Sequence, residues 1–187
     1  MKKRKHNTVG GGNKTNINGL AFERDTDLLD IFERLDNFKV EIITPEKAAK
    51  TRYAKIYKSN EHIGNFYEKD SLYRELFKPE GYNYKEKEYS LLEPDSVFLN
   101  IKNKTAYIIE KKFQSGGGSV DEKLQTCDFK KNFYYQPMFQ KLGYKTEFYF
   151  VLSDWFDSKS KSLVFEYIEK VKCKYFFNFI PFKELGL

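Results

Sequence analysis

Residues 106–114, Ala106-Tyr107-Ile108-Ile109-Glu110-Lys111-Lys112-Phe113-Gln114, pass from four apolar side chains directly into a charged triplet. Read as a strand, the segment alternates its side chains between two faces: Ile108, Glu110, Lys112 and Gln114 on one, Tyr107, Ile109 and Phe113 on the other. Upstream lies a second apolar run, Val97-Phe98-Leu99-Asn100-Ile101, followed by the turn-like Lys102-Asn103-Lys104. Residues 95–114 therefore read as a β-hairpin that brings Asp95 alongside Glu110 and Lys112 at a solvent-accessible sheet edge. Two acids and a lysine converging there can hold a divalent metal. Hard carboxylate oxygens suit Mg²⁺, which keeps several waters and binds through one or two carboxylates plus a substrate phosphate. Lys112 is placed to hold an attacking water or to meet the charge that develops on a phosphate. Gln114 fits two roles equally, orienting water or phosphate from the same face, or hydrogen-bonding across the sheet.

Glu110-Lys111-Lys112 is the only E-x-K triplet in the chain and Pro94-Asp95 the only Pro-Asp. The D-x-K triplets that begin at Asp121 and Asp128 fall in an expected helix, and the one at Asp157 in a polar loop, so none follows a strand-like run. With Pro94, Asp95, Glu110 and Lys112 in this order the sequence resembles the PD-(D/E)xK nuclease superfamily. The resemblance continues through Gly116-Gly117-Gly118 and Ser119-Val120-Asp121-Glu122-Lys123-Leu124-Gln125-Thr126, a stretch similar to type II restriction endonucleases. It implies Mg²⁺-dependent hydrolysis of double-stranded DNA, a homodimer with one site for each strand, and a cognate DNA methyltransferase as genetic partner. It also implies the Lys111 backbone carbonyl as an added metal ligand beside Asp95 and Glu110. An acid on the N-terminal helix would complete the site, and Glu23 fills that position; an exposed glutamate near a helix start, favoured by the dipole, explains Glu23 as well.

The rest of the chain orders itself around the hairpin. Residues 1–18 read as a flexible basic arm carrying Lys2, Lys3, Arg4, Lys5 and Lys14 without a single acid, with Gly10-Gly11-Gly12 making a fixed conformation costly in entropy. Leu28, Ile31, Phe32 and Leu35 have the spacing of an amphipathic helix, placed at about residues 19–36. Residues 37–92 interleave cations and tyrosines. Lys47, Lys50, Arg52, Lys55 and Lys58 with Tyr53 and Tyr57 are compatible with a helix, and Tyr67, Tyr73, Phe77, Tyr82, Tyr84 and Tyr89 follow among charges. This stretch suits a DNA-recognition insertion, or a layer whose tyrosines pack on a sheet. Ser119 and Glu122 have the form of a capping box that starts a helix. Val120, Leu124, Cys127 and Tyr134 mark its buried side, and Lys123, Thr126 and Lys130 a polar stripe that faces either a DNA backbone or solvent. Residues 146–152 read as a strand, 162–172 as a helix and 174–180 as a last strand. That alternation predicts an α/β fold, a mixed central β-sheet flanked by helices, with residues 19–187 as one domain. It is also the arrangement of the superfamily that the motif resembles.

At 187 residues, with 40% hydrophobic and 18% aromatic side chains, the chain is long enough for one substantial core. Its net charge of +6 is uneven. Residues 100–150 carry nine Lys/Arg against five Asp/Glu, while residues 19–99 carry thirteen against seventeen. A cationic excess around the expected site attracts phosphate backbones through counterion release. No apolar run reaches membrane-spanning length, and the basic N-terminus lacks the apolar core of a signal peptide, so a cytoplasmic protein without membrane contact is expected. Cys127 and Cys173 read as reduced and buried. His6 and His62 form no pair for a histidine-based nuclease, and Gly10 and Gly116 lack the continuation of a P-loop. Sequence-specific cleavage of DNA is the leading expectation. A structure-selective nuclease of junction or repair type, or a non-catalytic DNA-binding module, are the alternatives.

Overall fold

Among the described residues seven strands form one sheet in which spatial order equals chain order. They are β1 (Phe38–Ile42), β2 (Tyr53–Lys58), β3 (Glu61–Glu68), β4 (Ser96–Asn100), β5 (Thr105–Lys112), β6 (Lys145–Leu152) and β7 (Lys174–Phe177). Neighbours from β1 to β5 pair antiparallel, whereas β5–β6 and β6–β7 pair parallel. The fold is thus α/β with a mixed sheet and helices on both faces. The computed structural model describes residues 11–43, 50–81, 91–114 and 120–187, with residues 11–17, 120 and 121 as backbone alone.

The sheet is mixed because its connections change character. Tight turns join β2 to β3 and β4 to β5, while β5 and β6 are linked by α3 (Val120–Leu124), a π-helical segment at Phe129–Tyr135 and α4 (Gln136–Lys141). The helix α5 (Ser162–Lys170) links β6 to β7. Parallel neighbours need such long crossovers, antiparallel ones do not.

Strand β5 lies between an antiparallel and a parallel partner, and its residues from Thr105 to Glu110 are all buried. Ala106 and Ile108 belong to the core that includes Tyr73, Tyr135, Phe139 and Ile168, contributed by the crossover helices and by a π-helical segment at Leu72–Phe77. Tyr107 and Ile109 belong to the opposite core, closed by Leu28, Leu29 and Phe32 of α2 (Leu28–Glu33) and by Ile180 and Leu185 near the C-terminus. The two faces of β5 are those expected from its alternation.

Several expectations are corrected. The single N-terminal helix at 19–36 is two helices, α1 (Gly11–Asp25) and α2, because local side-chain bonds compete with the helical ladder at the junction. The Thr26 hydroxyl donates back to the Phe22 carbonyl at 2.7 Å, and the Asp27 carboxylate accepts from the amides of Leu29 and Asp30 at 3.1 and 3.2 Å, so Asp27 caps a new helix. Residues 11–18 of the expected arm lie in α1, which leaves Lys14 on a helix; Lys2, Lys3, Arg4 and Lys5 lie outside the described residues.

Within residues 37–92, β1, β2 and β3 are strands of the same central sheet, and the part of the helix-compatible stretch from Tyr53 to Lys58 is strand β2. Tyr67 and Tyr73 pack in the core rather than facing a ligand, while Lys47, Tyr82, Tyr84 and Tyr89 lie outside the described residues. The helix expected after Ser119 is segmented: Thr126 turns its hydroxyl to the Lys123 carbonyl, and Pro137 opens α4 without an amide to donate. Gly116-Gly117-Gly118 and Ser119 lie outside the described residues. Cys127 and Cys173 are free and buried as expected. No helix among the described residues is long and apolar enough to cross a membrane.

Gly64 shows how closely β3 and β4 approach. A Cβ there would sit 2.6 Å from the Leu99 carbonyl oxygen and 2.7 Å from the Phe98 ring, and a backbone oxygen inside a ladder cannot move away cheaply. Gly64→Ala is expected to destabilise the protein by about 1–3 kcal/mol. A urea titration would show this as a lower midpoint with an unchanged slope, and an unchanged midpoint would mean that the sheet relaxes there without penalty.

Candidate functional site

The ladder between β4 and β5 ends at the pair Ser96 and Ile109, and the residues just beyond it carry the charges. Asp95 precedes β4, and its Oδ2 accepts the Lys111 backbone amide at 2.7 Å. In an antiparallel pair, the amide and carbonyl of one residue face the same neighbour, so the Lys111 carbonyl lies on the Asp95 side of β5. Glu110 and Lys112 turn to the opposite side from the Lys111 side chain. Lys112 Nζ donates to Glu110 Oε2 at 2.7 Å and stands 3.5 Å from Asp95 Oδ2. One ammonium thus ties both carboxylates together, the convergence the hairpin predicted.

One part of that expectation fails: Glu110 is 3% exposed and lies beneath the surface rather than at an open edge. A buried carboxylate must be paired to stay ionised, and Glu110 has a second partner, Lys130 Nζ, 3.0 Å from Oε1. Lys130 arrives from the π-helical segment of the β5–β6 crossover. On an ideal α-helix it would continue the polar stripe of Lys123 and Thr126; in the wider π turn it faces inward to Glu110, while Lys123 and Thr126 remain exposed. Burial pulls the Lys112 pKa down, but the charges of Glu110 and Asp95 outweigh it and raise the value above the ordinary one. In this structure Lys112 is a hydrogen-bond donor to Glu110 and stands beside Asp95.

Three tyrosines hold the approach to Asp95. The hydroxyls of Tyr73 and Tyr135 both donate to the Leu92 carbonyl, the latter at 2.8 Å, and the Leu92 amide donates to the Tyr134 hydroxyl at 2.9 Å. Both backbone groups of Leu92 are satisfied by side chains from the two π-helical segments. Burial, together with the nearby Glu110 and Asp95 charges, pushes the Tyr135 hydroxyl pKa up, so it stays a neutral donor beside the acids. Sequence alone offered no means of assigning these tyrosines, because the three bonds to Leu92 end on backbone atoms of a loop.

On the other side of β5 lies a second charged network. Lys111 Nζ bonds the Glu23 carbonyl at 2.9 Å and Asp27 Oδ2 at 3.2 Å. Arg52 joins Asp27 at 2.7 Å, Asp30 at 2.9 Å and Glu68 at 3.1 Å. Glu23, Asp27, Arg52, Asp95 and Lys111 share one cleft of about 290 Å³. The structure thus brings Glu23 near Asp95, but on the Lys111 side of the strand and not on the side where Glu110 points. Gln114 exchanges backbone bonds with Ser153, its amide donating to the hydroxyl and its carbonyl accepting from it, both at 3.3 Å. Lys14 lies on α1, with its side chain outside the described residues.

Asp95, Glu110 and the Lys111 carbonyl fit a hard cation that draws its remaining ligands from water and substrate. Among the described residues no group of three or more His, Cys, Asp and Glu gathers to hold a metal; Mg²⁺ does not require one. Comparisons with protein-family models, with curated proteins and with solved structures return no match.

The Lys111 network sets a pH dependence. Burial raises the Asp27 pKa, but the Lys111 ammonium and the Arg52 guanidinium outweigh it, and the folded value lies below the ordinary 3.8. A depressed carboxyl pKa contributes stability that is present above the unfolded value and lost as pH falls through the folded one. Asp27→Asn is expected to cost about 1–3 kcal/mol at neutral pH and to flatten the decline in stability below pH 3.8. Thermal melts at a series of acid pH values would measure both; parallel wild-type and variant curves would refute the assignment.

Proposed function

We propose that the protein is a Mg²⁺-dependent endonuclease that hydrolyses double-stranded DNA at a defined sequence, in the manner of type II restriction enzymes. The observation that carries this reading is the single ammonium, Lys112, bridging Asp95 and Glu110 at the end of the β4–β5 hairpin. A phosphodiester needs three things from such a site: an activated water, a cation against the phosphate, and relief for the leaving oxygen. Asp95, Glu110 and the Lys111 carbonyl would hold the metal, which when bound lowers the pKa of a coordinated water and neutralises phosphoryl charge. The Lys112 ammonium would donate to the attacking water or to a non-bridging phosphate oxygen, where developing charge strengthens the bond. The bond from the Lys111 amide fixes Asp95, and the tyrosine hydroxyls on Leu92 fix the chain leading to it.

Lys123, exposed on α3, and Lys14 on α1 are proposed to meet the DNA backbone. Two copies of the chain would be needed to cut both strands, and a cognate methyltransferase would protect the host's own sites. Strands β1, β2 and β3 belong to the central sheet, so chain length argues less for a separate base-reading insertion. A nuclease selective for branched DNA is therefore the second reading.

Long duplex DNA incubated with Mg²⁺ is expected to give discrete bands that are absent with EDTA. Asp95→Asn and Glu110→Gln should abolish them, and Lys112→Met should slow cutting on the order of 10²–10³-fold, all three remaining folded by circular dichroism. Cleavage confined to a four-way junction would select the second reading. Near wild-type cutting by any of the three variants would sink the site assignment.

A further inference from the structure

Glu110 has both carboxylate oxygens engaged by lysines, Oε2 by Lys112 at 2.7 Å and Oε1 by Lys130 at 3.0 Å. Two acids, Asp95 and Glu110, face two ammonium groups, so the cluster is neutral as it stands. Adding a divalent cation gives it a charge of +2, with like charges a few ångströms apart in a mostly buried site, where such repulsion is weakly screened. Something must leave, or something anionic must arrive. Lys112 cannot go far, being two residues from Glu110 on the same strand and anchored by Asp95 as well. Lys130 can. It comes from a separate element, its recorded polar partner is Glu110, and its side chain is 22% exposed against 4% for Glu110.

We propose that Lys130 is a place-holder for the metal. In the free protein its ammonium neutralises Glu110; when DNA binds, it transfers to a phosphate next to the scissile bond and frees Oε1 for Mg²⁺. The inference rests on the nuclease reading and adds a coupling to it. A phosphodiester supplies one negative charge to the loaded cluster and an acceptor for the displaced lysine, so metal and DNA each favour the binding of the other. Neither partner alone relieves the site, and a metal-loaded protein without substrate is disfavoured.

The test is Mg²⁺ binding by isothermal titration calorimetry without DNA, on the full chain and on Lys130→Met, Lys130→Arg and Lys130→Met/Glu110→Gln, each first checked for an unchanged circular dichroism spectrum. Lys130→Met should bind Mg²⁺ about tenfold tighter than wild type, a modest value for removing one like charge from a partly exposed site. Lys130→Arg keeps the charge and should retain weak binding, and the double variant should lose the gain. In Ca²⁺, where DNA binding can be followed by fluorescence anisotropy without turnover, Lys130→Met should also reduce the slope of log affinity against log salt by about 0.9, the loss of one phosphate contact. Unchanged Mg²⁺ affinity in Lys130→Met, or equal gains in Lys130→Met and Lys130→Arg, would overturn the place-holder role while wild-type cleavage left the nuclease reading intact. A wild-type protein that cuts neither linear nor branched DNA would remove both.

Discussion

The hydrogen bond from the Lys111 amide to Asp95 Oδ2 is the constraint on which the site depends. It extends the pairing of β4 and β5 one step past the last ladder pair, Ser96 and Ile109, using a side chain where the backbone partner has run out. Once that amide is fixed, strand alternation decides where three consecutive charges go. Glu110 and Lys112 turn to the crossover helices, and Lys111 to α1 and α2. Asp95 sits on the boundary, within reach of Lys112 and lining the cleft that contains Lys111.

Each side of β5 then solves the same problem, ionised groups out of water, in a different way. On the Lys111 side the acids are tied to Arg52, whose planar guanidinium binds Asp27, Asp30 and Glu68 at once. A group that engages three carboxylates in fixed directions locks α2 against β2 and β3, a rigid frame suited to structure. On the Glu110 side the cations are lysines, point charges on flexible stems, which can exchange one anion for another. Pairing is thus rigid behind the strand and held by flexible side chains in front of it.

The crossover between β5 and β6 links packing to this chemistry. Its π-helical segment buries Lys131, Tyr134 and Tyr135 while placing Lys130 on Glu110. Wider turns of this kind are less stable than α-helical ones and are often found at functional sites. Here the segment delivers a lysine to one strand end and two tyrosine hydroxyls to the loop before Asp95, so one local irregularity touches both acids.

Much of this was legible in the residues themselves. Strand β5 and its faces could be read because a strand repeats every two residues and the apolar run ends in charges that cannot all be buried; β6 and α5 could be read for similar reasons. Strands β2 and β3 could not. The cations of β2 fall between tyrosines at spacings that also fit a helix, the pairing of β2 with β3 shifts register between Ile56 and Tyr57, and β3 carries Gly64 in its interior. Only their places in the sheet, β2 between β1 and β3 and β3 between β2 and β4, make strands of them. The sequence by itself determined that Asp95, Glu110 and Lys112 meet, because a hairpin is a local structure whose register is set by its turn and its alternation. The depth of Glu110, the arrival of Lys130 and the tyrosine hold on Leu92 were decided by tertiary structure. Those contacts join residues far apart in the chain, and their geometry exists only once the sheet and its crossover have packed.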